Sequence, residues 1–184
     1  MTKYLNKLEQ YNRLPITLDQ IRYHINAHPH DPDEYIEQIG IAACQITETR
    51  LGHSIIPSKW ELIQERDEIM LDRPPINKIE SVEVKGRRKW NQLDTGNPDE
   101  VEKIFSYTGS VKIKVVNWKE RQKVRITYTA GYGPNEHKMP ASITQYVLNL
   151  CIALYQGRPH SREMTRLQDQ LISPYVQEQS WSLW

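Results

Sequence analysis

The hydrophobic period of the chain changes twice, and those changes constrain the fold more than any single motif does. Between Thr17 and Gly52 apolar residues recur at helical spacing, between Ser58 and Ala130 they alternate, and from Pro140 onward helical spacing returns. A segment with a 3.6-residue period cannot bury its apolar set as a strand, and a segment with a period of two cannot do so as a helix. Along the alternating stretch one face carries charged residues, as in an antiparallel sheet with one wet side. The pattern predicts an α+β fold with amphipathic helices packed on a mainly antiparallel β-sheet.

Local signals place the helices. Thr17-x-x-Gln20 is a capping-box pattern, flanked by Ile16 and Ile21 at the positions of a hydrophobic staple, and it opens a short helix that His28-Pro29 ends. Asp31 and Asp33 favour the start of a second helix, in which Ile36, Ile39, Ala43 and Ile46 share a face down to Leu51-Gly52. Pro140 suits the first position of a third helix, with Ile143, Val147, Leu150, Cys151 and Leu154 on its apolar face and Gly157 and Pro159 as its stop. A last pattern through Met164, Leu167 and Leu171 ends at Ser173-Pro174. Residues before Leu14 read as an extension, a helical arm using Tyr4, Leu5, Leu8 and Tyr11.

The strands are marked by Trp60/Leu62, Ile69/Leu71, Val82/Val84, Val111/Ile113/Val115 and Val124/Ile126/Tyr128, each set against polar neighbours. Pro74-Pro75 removes backbone donors and marks a turn or the start of an edge strand. Arg87 to Lys103, with Asp94-Thr95-Gly96-Asn97-Pro98 inside it, reads as a polar, turn-forming excursion. The glycines of Gly131-Tyr132-Gly133 close the last strand as a strand-to-helix turn.

At 184 residues the chain can bury one proper core, and the prior from length is a single domain. Lys plus Arg number 24 against 23 Asp plus Glu, so the whole chain carries no field of the kind that marks a dedicated nucleic-acid or membrane binder. No apolar run approaches the ~20 residues that a membrane helix needs. The start lacks the layout of a secretory signal, and Cys44 and Cys151 both fall within apolar helical patterns, where buried reduced thiols of a cytoplasmic protein are expected.

Motifs for catalysis are absent from the sequence. Gly131-x-Gly133 lacks the spacing and the lysine of a phosphate loop, there is no G-x-S-x-G elbow, and no cofactor is implied. His24, His28 and His30 with Asp31 and Asp33 form the best cluster for a metal, against which stands a solvated helix connection in which both aspartates serve the helix start. Lys85, Arg87, Arg88 and Lys89 beside Trp90 form the only dense basic run: a soluble hairpin tip, or a contact with nucleic-acid phosphates or another subunit. Asp94, Asp99, Glu100 and Glu102 lie nearby and largely cancel that charge in sequence. Tyr175, Trp181, Leu183 and Trp184 put large apolar groups on a polar tail, where they suit docking onto the chain's own core, another subunit or another protein.

The order of these elements carries a resemblance. The helix start Thr17-Leu18-Asp19-Gln20 is followed by Asp31-x-Asp33-Glu34, the strand Trp60-Glu61-Leu62, and Arg73-Pro74-Pro75-Ile76-x-x-Ile79-x-Ser81-Val82. Val124 to Gly133, reading V-R-I-T-Y-T-A-G-Y-G, then leads to Met139-Pro140-Ala141-Ser142-Ile143. From about Ile16 to Tyr155 this resembles the head–tail connector, or adaptor, proteins of tailed bacteriophages, prophages and gene transfer agents.

The resemblance implies a structural virion protein rather than an enzyme, made in the host bacterial cytoplasm. It implies a homo-oligomeric ring, dodecameric in the particle, that joins the portal of a DNA-filled head to the tail, a stopper or a tail-terminator protein and lets duplex DNA pass with transient, non-specific contact. On this basis residues 1–15 form an N-terminal extension, 16–174 the connector domain with a loop excursion at 87–103, and 175–184 a C-terminal tail that docks on the portal through Tyr175, Trp181, Leu183 and Trp184. The alternative from another class is a nucleic-acid-binding module that uses the basic loop 85–90; a third is a metal-dependent enzyme centred on His24, His28 and His30.

Overall fold

The structure, a computed structural model, describes residues 3–11, 13–105, 109–133, 137–157 and 162–176, with side chains from 165 onward in the last segment. The chain forms two compact units, one of strands (Met1–Asn12 with Pro57–Gly131) and one of helices (Arg13–Ile56 with Tyr132–Trp184). Each has its own buried cluster.

The strand unit contains β1 (Lys3–Gln10), β2 (Ser58–Gln64), β3 (Glu68–Met70), β4 (Ile76–Lys85), β5 (Trp90–Leu93), β6 (Val101–Phe105), β7 (Val111–Val115) and β8 (Val124–Ala130). They make a five-stranded sheet in the order β1-β2-β8-β4-β5 and a three-stranded sheet in the order β3-β7-β6. Every pairing between these strands is antiparallel. The alternation anticipated from the sequence sets the register: Leu62 lies opposite Ile126, and Ile126 opposite Val82. This row is buried together with Ile69, Ile113 and Val115 of the smaller sheet, so the two sheets share one core. Burial of each such side chain contributes about 1.5–3 kcal/mol.

Three expectations for this unit are corrected. Residues 3–10 form an edge strand on β2, not a helical arm, because pairing with β2 and burial of Leu5 against the sheet core outweigh the weak helical spacing. The excursion 87–103 is not all loop: it holds β5 and most of β6, joined by a turn in which Asp94 accepts from the Gly96 N–H at 2.8 Å. Pro74-Pro75 makes a turn with a cis peptide bond, and the strand that follows, β4, lies between β8 and β5 rather than at an edge.

The helical unit contains α1 (Leu18–Ile25), α2 (Asp33–Leu51), α3 (Ala141–Gln156) and α4 (Arg162–Ile172), then a 3₁₀ turn at Ser173–Tyr175. The capping box is present: the Gln20 N–H donates to the Thr17 hydroxyl at 3.2 Å, and the Thr17 N–H donates to Gln20 Oε1 at 2.9 Å. Gly52 ends α2 with φ 73°, and Gly157 ends α3 with φ 62°, both left-handed as glycine permits. Pro140 stands one position earlier than expected, at the N-cap, where its carbonyl accepts from the Thr144 N–H at 2.9 Å.

The helices bury their apolar faces on one another, with Ile36, Ile39 and Ala43 of α2, Ile143, Val147 and Cys151 of α3, and Ile21 and Ile25 of α1 in one cluster. Two positions depart from the anticipated stripes. Ile46 is exposed while Thr47 is buried, its hydroxyl satisfied by the Ala43 carbonyl at 2.8 Å; on α4, Leu167 is 58% exposed while Gln168 and Ile172 are buried. Cys44 and Cys151 are buried free thiols; burial pushes Cys44 up strongly and Cys151 to about 12, so neither is reactive at neutral pH.

Candidate interaction surfaces

The basic run lies where β4 turns into β5. Lys85 pairs with Trp90 across the hairpin, and the Gly86 N–H donates to the Lys89 carbonyl at 2.8 Å, which leaves Arg87, Arg88 and Lys89 exposed on the tip. Trp90 is partly buried beneath cations: the Lys85 ammonium lies 5.0 Å from its ring centroid and the Arg125 guanidinium 4.4 Å. Arg125 is itself held by Glu83 through two bonds of 2.7 and 3.0 Å.

Three of the four carboxylates that cancel this run in sequence are occupied elsewhere. Glu102 pairs with Lys114, Glu100 accepts from the Asp94 N–H, and Asp94 closes its own turn. The strand β5 carries Asp94 away from the tip, while Asp99 and Glu100 stand beside the start of the β7–β8 turn, where their carbonyls accept from Asn117 Nδ2 at 3.4 Å and from the Val116 N–H at 3.1 Å. A second basic segment, distant in sequence, takes their place. Because β8 pairs with β4, the turn between β7 and β8 comes to the hairpin: the Lys85 N–H donates to the Lys123 carbonyl at 2.8 Å, and Gln122 Nε2 donates to the Lys85 carbonyl at 3.3 Å. Lys119, Arg121 and Lys123 of that turn are exposed. Sequence reading missed them because their density is lower and their partner loop lies over thirty positions away; the signal was their alternation with Glu120 and Gln122 just before a strand.

The histidine cluster does not come together as a metal centre. His24 Nε2 faces Asn149 Oδ1 at 3.4 Å on α3, while the His28 and His30 rings stand 5.2 Å apart on the connection. Asp31 accepts from the Tyr155 hydroxyl at 2.7 Å and from the His28 N–H at 2.9 Å, and the Tyr155 bond holds its carboxyl below the usual range. Asp33 is bound by Arg22. Among the described residues no group of three or more His, Cys, Asp or Glu is placed to hold a metal ion.

Of the four tail residues anticipated to dock, Trp181, Leu183 and Trp184 lie outside the described residues. Tyr175 ends the 3₁₀ turn and packs, partly buried, on the chain's own helical core. Its backbone hydrogen-bonds the ring of His53, whose Nδ1 stands 3.3 Å from the Tyr132 hydroxyl. The point from which the tail departs is thus fixed by a buried polar contact that no sequence motif announces.

Large apolar side chains are also exposed on the edge strands. Tyr4 and Leu8 stand on β1, and Ile104 and Phe105 on β6, where Phe105 is 70% exposed. Tyr23 of α1 is 90% exposed. Among the described residues no helix is long and apolar enough to cross a membrane.

Residues 15–158 match the head completion protein family. No curated protein sequence matches the chain. Among solved structures, the fold is similar to a chain in the neck of an empty GTA particle computed with C6 symmetry, at 17% identity and a TM-score of 0.70 over 94% of both chains. A chain in the virion of a native gene transfer agent particle matches at 15% identity and a TM-score of 0.70, over 93% of this chain and 94% of that one. A chain in the neck of a native GTA particle computed with C12 symmetry matches at 17% identity and a TM-score of 0.68, over 94% of both. With its family match spanning the capping box, the strand series and the helix that follows Pro140, the chain belongs to the head completion protein family.

Proposed function

We propose that this chain works as a ring-forming structural subunit at the head–tail junction of a tailed-phage or gene transfer agent particle. The family match over residues 15–158 carries this reading. Its work is assembly, not catalysis: subunits close into a ring under the portal, and the ring joins the head to the tail, a stopper or a tail-terminator protein while duplex DNA passes. The resemblance of the fold to chains in necks computed with C6 and C12 symmetry supports a dodecameric ring. A ring requires unlike surfaces of neighbouring subunits to meet head to tail. The exposed apolar residues of the edge strands β1 and β6 are suited to that contact, and the polar composition suits an interface that is partly wet.

The tail serves docking on the portal. Tyr175 anchors its base on the helical unit, and Trp181, Leu183 and Trp184 are the groups that enter portal pockets. Light scattering across a concentration series, with the protein alone and then mixed with portal-bearing heads, tests the ring. A closed multimer of twelve copies in either setting is expected; a monomer that also fails to associate with portal-bearing heads overturns the reading.

A further inference from the structure

We propose that the β4–β5 tip and the β7–β8 turn form one electropositive surface that receives the phosphate backbone of duplex nucleic acid without reading its sequence. The two segments bring together Lys85, Arg87, Arg88 and Lys89 with Lys119, Arg121 and Lys123, with Glu120 the one carboxylate within them and Asp99 and Glu100 beside the Val116–Asn117 start of the turn. They are joined through Lys85, which bonds to Lys123 through its N–H and to Gln122 through its carbonyl, so the cations share one end of the strand unit.

The contrast with the rest of that unit carries the inference. On the sheets, Lys59, Lys112, Lys114 and Arg125 are each paired with a glutamate, and Lys3 with Asp72. Among the described residues no carboxylate pairs with Arg87, Arg88, Lys89, Lys119, Arg121 or Lys123. A chain with a net charge of +1 that pairs these five sheet cations and leaves six cations at one end of the strand unit without a carboxylate has concentrated its field there.

Duplex phosphates suit this surface better than a protein or a single strand. Protein interfaces place apolar or aromatic anchors at their centre and are poor in lysine, whereas the exposed apolar surface of the two segments comes down to Val116 at the start of the β7–β8 turn, and Trp90 and Trp118 are both partly buried. Trp118 is tied down by its Nε1–H to the Gln122 carbonyl at 2.8 Å. Single-strand binders offer an aromatic face for base stacking, and the Trp90 ring is already occupied by Lys85 and Arg125. A duplex presents fixed, closely spaced phosphates that need only cations. The proposal rests on the junction reading for the presence of a duplex, but the surface is measured independently of any ring.

Titration of fluorescein-labelled duplex DNA of random sequence with the full chain, by anisotropy over ~20–200 mM salt, tests it. Binding should weaken linearly in log–log form, at ~0.9 per phosphate neutralised, and each of two variants, R87S/R88S/K89S and K119S/R121N/K123S, should lower the slope by about 2 to 3. Asparagine is chosen at Arg121 because its φ is 63°. The single variants K89Q and K119Q, each expected to lower the slope by about one, provide the same test if a triple variant fails a circular-dichroism melt. A slope unchanged in either segment overturns the shared surface. Displacement of the duplex by polyglutamate at equal charge concentration assigns the surface to an acidic protein instead, and tighter binding of the corresponding single strand overturns the duplex assignment. Light scattering on the same samples separates the two readings, since a ring that does not bind DNA sinks only this surface and a monomer that binds DNA sinks only the ring.

Discussion

Glu48 is a buried carboxylate whose work is with the backbone. Its Oε1 accepts from the N–H groups of Ile55 at 2.9 Å and Ile56 at 3.0 Å, both in the buried segment that follows α2. Removing the acceptor leaves buried donors without a partner, at about 1–3 kcal/mol each. Glu48→Ala is therefore expected to lose about 2–4 kcal/mol in urea unfolding and Glu48→Gln much less; equal stability of Glu48→Ala and the parent would refute the role. His53 supplies a pH effect of opposite origin. Burial pulls its imidazole from 6.5 down to about 4, only partly offset by the bond to the Tyr175 backbone. Between those values the unfolded chain takes a proton that the folded chain refuses, so stability is full above about 6.5 and falls as the pH drops toward 4. The loss is on the order of 3 kcal/mol. Unfolding midpoints of the parent and His53→Gln over this range should converge as the pH falls; parallel curves would show that His53 does not carry the dependence.

Among the elements, α2 shows a local rule set aside for packing. Gly40 in mid-helix costs about 0.5–1 kcal/mol relative to alanine. A Cβ there would stand 2.7 Å from Ile21 Cδ1 of α1 and 2.9 Å from Leu14 Cδ1. Both neighbours are methyl ends of side chains that can turn aside, so Gly40→Ala should fall within about 1 kcal/mol of the parent, the helix gain offsetting the crowding. Gly40→Leu overpacks the same space and should lose about 1–3 kcal/mol in urea unfolding; if the leucine is tolerated, α1 does not lie as close to α2 as this contact requires. The strands obey the opposite balance. Leu62, Ile126 and Val82 follow strict alternation, and β-branched residues fit the pleat. The edge strands β1 and β5 exist only because a neighbour supplies their hydrogen bonds, which is why neither has a strong pattern of its own.

For the molecule as a whole, the decisive question is what its C-terminal tail does in an assembly. Tyr175 is held on the helical core, while the tryptophans beyond it belong to a segment too short to fold alone. Deleting Gln179 to Trp184 is expected to leave circular dichroism and the thermal midpoint of the subunit unchanged and to abolish attachment to portal-bearing heads. Unfolding of the truncated chain would place the tryptophans in the subunit's own core, and normal attachment would remove the docking role. The Tyr175 anchor is a separate matter: changing it should loosen the tail's base without affecting duplex binding at the β4–β5 tip.

The sequence by itself determined the class of the fold, because periodicity is a local property that burial enforces wherever the segment lies. The capping box at Thr17 and Gln20, the helix stops at Gly52 and Gly157, and the buried sets Trp60/Leu62 and Val124/Ile126/Tyr128 all follow from neighbours within a few residues. Only the tertiary structure decided the rest. Alternation says that a strand has a buried face but not which sheet covers it, so the separation of β3, β7 and β6 from the larger sheet was invisible in the sequence. Residues 3–10 took partners in β2, from Gln10 opposite Ser58 to Lys3 opposite Gln64, and Glu102 was drawn to Lys114 rather than to the basic run that precedes it. The basic end arose in the same way: Lys119, Arg121 and Lys123 join Lys85 to Lys89 only through the β4–β8 pairing, and a charge surface depends on proximity in space, which pairing rather than chain order creates.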